Sequence, residues 1–159
     1  MKRLFPLLLL LSGCGLQPLY AGGGSGAVAG TLGQVEVPAI EGRAGWLMAN
    51  AIRDRLGESS GPRYRLDVRL DDQITGLGIR RDDAVTRERR TLRARYQLVD
   101  LSNGSVVLDA TAGSDAGIDV VGSEYATIAA ENTALERLSG IVADEIVARL
   151  ALYARRQAQ

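Results

Sequence analysis

A strict alternation of apolar and polar side chains over residues 63–71 constrains the fold more than any other feature. Successive side chains of a β-strand point to opposite faces of the sheet, so this pattern predicts a strand with one buried and one exposed face. Residues 91–98 repeat it. Strands of this kind belong to antiparallel or mixed sheets with one solvated face. The apolar positions are Tyr64, Leu66, Val68 and Leu70 in the first segment and Leu92, Ala94, Tyr96 and Leu98 in the second.

The turn signal Ser102-Asn103-Gly104 predicts a hairpin after the second of these strands. A two-residue Asn-Gly loop would place Leu98 opposite Asp109 and mix the two faces. A three-residue loop with Gly104 in the left-handed conformation keeps the apolar side chains together, and we therefore predict that loop. The pairs it predicts are Leu98 with Leu108, Tyr96 with Ala110 and Val99 with Val107.

Two further segments show helical periodicity, residues 42–56 before Gly57 and residues 123 to about 155, where Ser123 is a candidate N-cap. Gly140 is the expected position of any bend in the second helix. Val35 and Val37 predict a short strand that ends at Pro38. The order β-α-β-β-β-α predicts an α+β fold, a two-layer sandwich with two helices packed on one face of a four-stranded mixed sheet.

The amino-terminal segment has the composition of a lipoprotein signal. Residues 1–13 combine a basic start, a short apolar run and small residues, and Cys14 follows directly. Leu-Ser-Gly-Cys resembles the bacterial lipobox, which implies lipidation of Cys14; the alternative is a free cysteine near a cleavage point. Since Gly15 stands where inner-membrane lipoproteins tend to carry aspartate, the outer membrane is expected.

Residues 14–33 are glycine-rich and predict a flexible tether. Residues 34–156 are expected to form a single domain.

Charge and composition exclude several classes of function. Without Lys2 and Arg3, 19 − 2 = 17 basic side chains face 19 acidic ones, and no basic excess indicates a nucleic-acid partner. The chain has no histidine and one cysteine, which excludes a histidine-based triad and the usual zinc sites. We therefore expect no metal and no cofactor, and a hydrolase is less favoured but not excluded.

Seven arginines between residues 80 and 95 form the densest charge in the chain. In an extended segment Arg87, Arg89, Arg93 and Arg95 point the same way, and we call these four the basic stripe. Guanidinium groups bind phosphate and carboxylate bidentately, so the basic stripe could hold a phosphorylated lipid head group or an acidic partner. The alternative is that Asp67, Asp71 and Glu88 neutralise it in ordinary surface ion pairs. The other three arginines are Arg80, Arg81 and Arg90.

Residues 73–85 predict a loop that carries a second candidate contact. Leu77 and Ile79 lie between glycines and next to Arg80 and Arg81, so the loop is either a partner-contact tip or a hairpin loop that tucks two apolar residues inward. The adjacent pair Asp82-Asp83 predicts a solvated turn and not a catalytic pair, because neighbouring side chains on an extended chain point apart.

Five stretches resemble one family, the alphaproteobacterial lipopolysaccharide-assembly lipoproteins (LptE, also called RlpB). These are CGLQPLY at the lipidation site, GRAGWLMANAIRDRL, RYRLDVRL, ARYQLVDLSNGSVV, and the closing IDVVGSEYATIAAENTALERLSGIVADEIVARLALYAR. The resemblance covers nearly all of the chain after residue 13, although the glycine-rich insertion after Tyr20 is longer than in the family.

The resemblance implies a non-enzymatic lipoprotein anchored at the outer membrane, facing the periplasm or a barrel lumen. Its implied partners are a large LptD-like β-barrel, which the family plugs and stabilises, and lipopolysaccharide. Arg93 and Arg95 become the first candidates for lipid A phosphates, followed by Arg87, Arg89, Arg80 and Arg81. Two other classes stay open: an auxiliary lipoprotein of an ABC-type lipid transporter, and a cell-wall hydrolase, which would need a cleft with poised carboxylates.

Overall fold

The computed structural model describes residues 26–57, 59, 61–79, 85–120 and 122–158. The predicted signal peptide, Cys14, Arg80, Arg81 and the Asp82-Asp83 turn lie outside these residues. The elements in chain order are α1 (Ala27–Leu32), β1 (Val35–Glu36), α2 (Gly42–Leu56), β2 (Tyr64–Ile79), β3 (Val85–Asp100), β4 (Ser105–Asp119) and α3 (Glu124–Gln157).

The sheet is mixed and has the order β1-β2-β3-β4. β1 pairs with β2 in parallel through Val35 and Glu36, and the other two pairs are antiparallel. The predicted α+β architecture is confirmed. The predicted element order lacked α1, which lies within the segment assigned to the tether and buries Leu32 in the core. Glycine disfavours helix, so local propensity does not indicate this helix, whereas packing stabilises it.

The hairpin between β3 and β4 follows the predicted register at two of three pairs. Leu98 lies opposite Leu108 and Tyr96 opposite Ala110, and Gly104 has a φ of 72°. Val99 lies opposite Val106 and not Val107, because a β-bulge adds one residue to β4 between these pairs. Asp100 stabilises the turn: its Oδ1 accepts hydrogen bonds from the backbone N–H and the hydroxyl of Ser102 at 2.8 and 2.6 Å.

The predicted loop over residues 73–85 is wrong in its extent. β2 continues to Ile79 and β3 begins at Val85, so residues 73–79 lie within a strand. The alternation stops after Asp71, and Gly76 and Gly78 favoured the loop interpretation. Backbone pairing with β3 nevertheless continues, with Thr75 opposite Arg89 and Leu77 opposite Arg87. The sheet stays three-stranded as far as Arg87, which lies opposite Asp119 of β4, and only the last residues of β2 and the first residues of β3 extend beyond it as a short two-stranded arm.

The helices cover one face of the sheet. α3 has 34 residues and is about 51 Å long. The 16-residue strand β2 is about 53 Å long, so the helix is long enough to span the sheet from end to end. It runs as one helix through Gly140, and Ser123 Oγ accepts from the Ala126 N–H at its start. The core joins apolar side chains of α2, α3 and the sheet, including Met48, Ile52, Leu92, Tyr96, Leu138, Val142 and Ile146.

Candidate functional site: the open face of the sheet

The basic stripe lies on the face of the sheet that the helices leave open. Arg87, Arg89, Arg93 and Arg95 are all exposed, whereas Leu92 and Ala94 between them are fully buried. The predicted extended conformation of this segment therefore placed the four side chains on the correct face. Leu77 is half-buried and pairs with Arg87, and Ile79 pairs with Val85 near the end of the same arm.

Aspartates of β4 lie opposite or beside three of these arginines. Arg95 Nη2 lies 3.1 Å from Asp109 Oδ2, Arg93 Nη2 lies 3.7 Å from Asp115 Oδ1, and Arg87 Nε lies 3.2 Å from Asp119 Oδ1. The hydrogen bond with Asp109 raises the pKa of Arg95. The same bond, with help from Gln97, lowers the pKa of Asp109. The basic stripe is thus a row of exposed cross-strand ion pairs.

The acids that the sequence suggested as ion-pair partners of the basic stripe make other contacts. Asp67 pairs with Arg65 at 2.8 Å, and Asp71 accepts a hydrogen bond from Gln73. Glu88 points to the helix-covered face, opposite Ile118. Asp71 lies directly opposite Arg93 in the ladder, but Arg93 pairs with Asp115 of β4, so the expected partners were wrong.

Gly113 allows one of these pairs to form. It stands opposite Arg93 in the ladder, and a Cβ at this position would lie 2.5 Å from Arg93 Cδ. The side chain of Arg93 therefore crosses the strand over Gly113 on its way to Asp115. A larger residue here would displace the arginine.

Two exposed arginines of the open face have no ion-pair partner in the part of the chain that the structure describes: Arg69 and Arg89. Arg69 lies directly opposite Arg95, so two like charges meet on neighbouring strands. Arg69 and Arg95 line a hollow of about 480 Å³. It lies where β1 has ended and the chain leaves the sheet through Pro38 and Ile40. The sequence placed Arg69 outward but did not connect it with the basic stripe, because the register between β2 and β3 was not known.

Arg90 has a structural role that the sequence did not reveal. It lies on the helix-covered face and is 9% exposed. Its Nε and Nη2 donate to the two carboxylate oxygens of Asp72 at 2.8 and 2.6 Å, and its Nη1 donates to the Glu131 carbonyl of α3 at 2.8 Å. The hydrogen bond with Asp72 raises the pKa of Arg90. This side chain connects the sheet to α3 and is not available to a ligand.

The arrangement is suited to binding anions. Exposed guanidinium groups on one flat face can bind phosphate or carboxylate groups in forked pairs of hydrogen bonds. Within the described ranges, no group of three or more histidine, cysteine, aspartate or glutamate side chains is arranged to hold a metal ion. Among the same residues, no helix is both long and apolar enough to span a bilayer.

Comparison with known proteins identifies the family. The family model for lipopolysaccharide assembly, LptE, matches residues 32–150. The chain belongs to the LptE family. This membership makes it a lipoprotein of lipopolysaccharide assembly, and the LptE family is not one of enzymes. A comparison with curated proteins found no match.

Solved structures of lipoproteins share the fold. A protein from Caulobacter crescentus CB15, described as a lipoprotein, is 26% identical with a TM-score of 0.69 over 83% of this chain and 98% of its own. Rare lipoprotein B from Shewanella oneidensis is 8% identical, with a TM-score of 0.60 over 79% and 98%. Lipoprotein B from Nitrosomonas europaea is 11% identical, with a TM-score of 0.58 over 76% and 82%. At such low identities the last two show the fold alone.

Proposed function

We propose that this protein is an outer-membrane lipoprotein, anchored through Cys14, that binds and stabilises the β-barrel that translocates lipopolysaccharide and assists assembly there. The family match over residues 32–150 carries this proposal. The sequence before the domain supports the anchor, because an apolar run and small residues lead directly to Cys14. Several acyl chains at this position hold a protein firmly, since each buried methylene contributes about 0.8 kcal/mol.

The open face is the surface that we assign to lipopolysaccharide. Lipid A phosphates carry more charge than a single carboxylate and offer more acceptor oxygens to a guanidinium fork. The ion pairs of the basic stripe are exposed, so the aspartates hold the arginines only weakly and a phosphate can replace them. Arg93 and Arg95 lie at the centre of the sheet and are the main contacts. Arg87 and Arg89 extend the contact along β3, and Arg80 and Arg81, which follow β2 in the sequence, are further candidates.

Charge reversal tests the assignment of the open face. The double variant Arg93→Glu/Arg95→Glu should reduce lipopolysaccharide binding at least about tenfold, because it removes two cations and adds two anions. The matched control is Arg43→Glu/Arg156→Glu, which makes the same change of charge away from the open face. Binding is measured with the purified full chain by displacement of a fluorescent lipid A analogue. Equal binding by the two variants would mean that the basic stripe is only a solvated face.

A pull-down tests the barrel. The full chain, tagged at its carboxyl terminus, is extracted from membranes in mild detergent and the bound proteins are identified. We expect a large outer-membrane β-barrel. Recovery of an inner-membrane permease instead would favour an auxiliary lipoprotein of an ABC-type lipid transporter, and the Cys14→Ala variant reports how much of the capture depends on the anchor.

A further inference from the structure

Strand β4 is an edge of the sheet, and its outer side has no strand partner among the described residues. The N–H of Gly113 donates to Glu145 Oε2 of α3 at 3.4 Å, so it points away from β3. Because ladder hydrogen bonds alternate along an antiparallel pair, Thr111 and Asp115 also direct their backbone N–H and C=O groups outward. Apart from the Gly113 N–H, which Glu145 accepts, the edge presents backbone donors and acceptors that another strand can use.

The sequence of β4 leaves this edge open to a close approach. Residues 110–117 read Ala-Thr-Ala-Gly-Ser-Asp-Ala-Gly, with small side chains at nearly every position and neither proline nor lysine. Natural sheets commonly protect exposed edges with those residues or with bulges. The bulge of β4 lies between Val106 and Leu108, next to the turn, and leaves the ladder of residues 110–117 regular.

Helix α3 supplies an apolar roof over the same edge. Glu145 identifies the side of α3 that lies above β4. Ile141 stands four residues before Glu145 and Leu152 seven residues after it, so both lie on that side of the helix. They are 46% and 44% exposed, so both leave apolar surface uncovered on this side of the helix. A strand added to β4 would place every second side chain beneath them.

Basic residues stand at both ends of this roof. Arg137 lines a hollow of about 380 Å³ together with Gly117 and Ala134, towards the end of β4. Arg149 and Arg156 line a second hollow of about 370 Å³ with Leu152, towards the end of α3. An occupant with acidic residues near its ends would match these charges.

We propose that the edge of β4 and the side chains of Ile141 and Leu152 form a docking groove for an extended strand of a partner protein. The strand carries apolar residues at alternate positions, facing α3, and acidic residues towards its ends. Its backbone hydrogen bonds supply affinity, and the alternate side chains supply specificity. The groove uses the backbone edge of β4 and side chains of α3, whereas lipopolysaccharide is assigned to the arginine side chains of the open face, so variants of Ile141 and Leu152 test this inference separately from lipopolysaccharide binding.

A peptide titration tests the groove. The probe is a decapeptide in which valine alternates with serine and each end carries glutamate, added to the isotope-labelled full chain in detergent and followed by NMR. We expect shifts at the amides of Thr111, Gly113 and Asp115 and in α3 from Ile141 to Leu152. The variant Thr111→Pro removes an outward N–H without breaking the ladder to β3 and should weaken binding at least about tenfold. Thr111→Val keeps the N–H and should bind as the parent does.

Three results would overturn the proposal. The first is the absence of shifts at millimolar peptide. The second is equal binding of a peptide that is N-methylated at alternate residues, since it cannot complete the ladder. The third is a concentration-dependent dimer that shows the same shifts without peptide, because the groove would then take a second copy of this chain. If Thr111→Pro fails to fold, Ile141→Glu/Leu152→Glu must weaken binding, with Ile128→Glu as the control.

Discussion

Both faces of the sheet carry arginine–aspartate ion pairs, but in different environments. Arg90 and Arg93 stand three residues apart in β3 and point to opposite faces. On the helix-covered face the side chains of Arg90 and Asp72 are 10% and 20% exposed and their closest atoms are 2.6 Å apart. On the open face those of Arg93 and Asp115 are 53% and 46% exposed and 3.7 Å apart. Arginine and aspartate meet in both cases, and burial makes the difference.

Burial decides what each pair can do. The Arg90–Asp72 pair is largely shielded from water and also bonds the backbone of α3, so removing one partner leaves a desolvated charge. The pairs of the open face stay hydrated and can be exchanged for a ligand at little loss of stability. The helix-covered face therefore maintains the fold, whereas the open face is free to bind.

The largest effect should come from the apolar side chains of the helix-covered face. Leu92 is fully buried between Arg90 and Ala94. Leu92→Ala should lower the free energy of unfolding by about 3 kcal/mol, because it removes buried methyl groups and leaves a cavity. The control Thr111→Ala, on the open side, should change it by less than about 0.5 kcal/mol. Urea unfolding followed by circular dichroism measures both. Equal losses would mean that the open face contributes to the fold as the core does.

An intermediate effect should follow from breaking the buried ion pair. Arg90→Met keeps an apolar stem but leaves Asp72 unpaired, and should cost about 2 kcal/mol, below the full value for a buried pair because Asp72 is partly exposed. The matched control Arg93→Met, on the opposite face of the same strand, should cost less than about 1 kcal/mol. Both are measured by urea unfolding.

Adding Asp72→Leu to Arg90→Met sharpens the comparison. It replaces the unpaired carboxylate by an apolar side chain and should recover part of the loss, so that a double-mutant cycle gives a clear coupling between the two positions. Additive losses would show that Arg90 acts through packing and its bond to Glu131 alone.

The parts of the fold that the sequence predicted are those with strong periodicity and clear ends. Gly42–Leu56 was predicted to the residue, because its apolar side chains recur at helical spacing and Gly57 follows with a φ of 79°. α1 could not be predicted, since a six-residue helix with an internal glycine depends on tertiary packing through Leu32. The bulge before Leu108 could not be predicted either, because valines stand at both Val106 and Val107 and either can face outward.

The sequence predicted the face of the sheet on which the basic stripe lies, but not the carboxylates that pair with it. The alternation of side chains along β3 placed Arg93 and Arg95 on the open face. The same alternation places Arg90 beside Leu92 on the covered face, and this was the available signal that Arg90 has a different role. The carboxylates of β4 were missed, although the predicted pair of Tyr96 with Ala110 also places Asp109 opposite Gln97 and Asp115 opposite Thr91, next to these arginines on the same face.

The smallest effect should be a pH dependence that arises on the open face. The hydrogen bonds from Arg95 and Gln97 lower the pKa of Asp109 below its usual range, so the folded state binds the proton less readily than the unfolded chain does. The stabilising effect is therefore fully present above the unfolded pKa of about 3.9, and is lost as the pH falls through the lower pKa of the folded state. Asp109→Asn should flatten the fall of the urea midpoint below about pH 4, and Arg95→Gln should flatten it similarly. If both variants keep the parent's slope, the aspartates do not hold the arginines of the open face at all, and a phosphate would meet even less competition there.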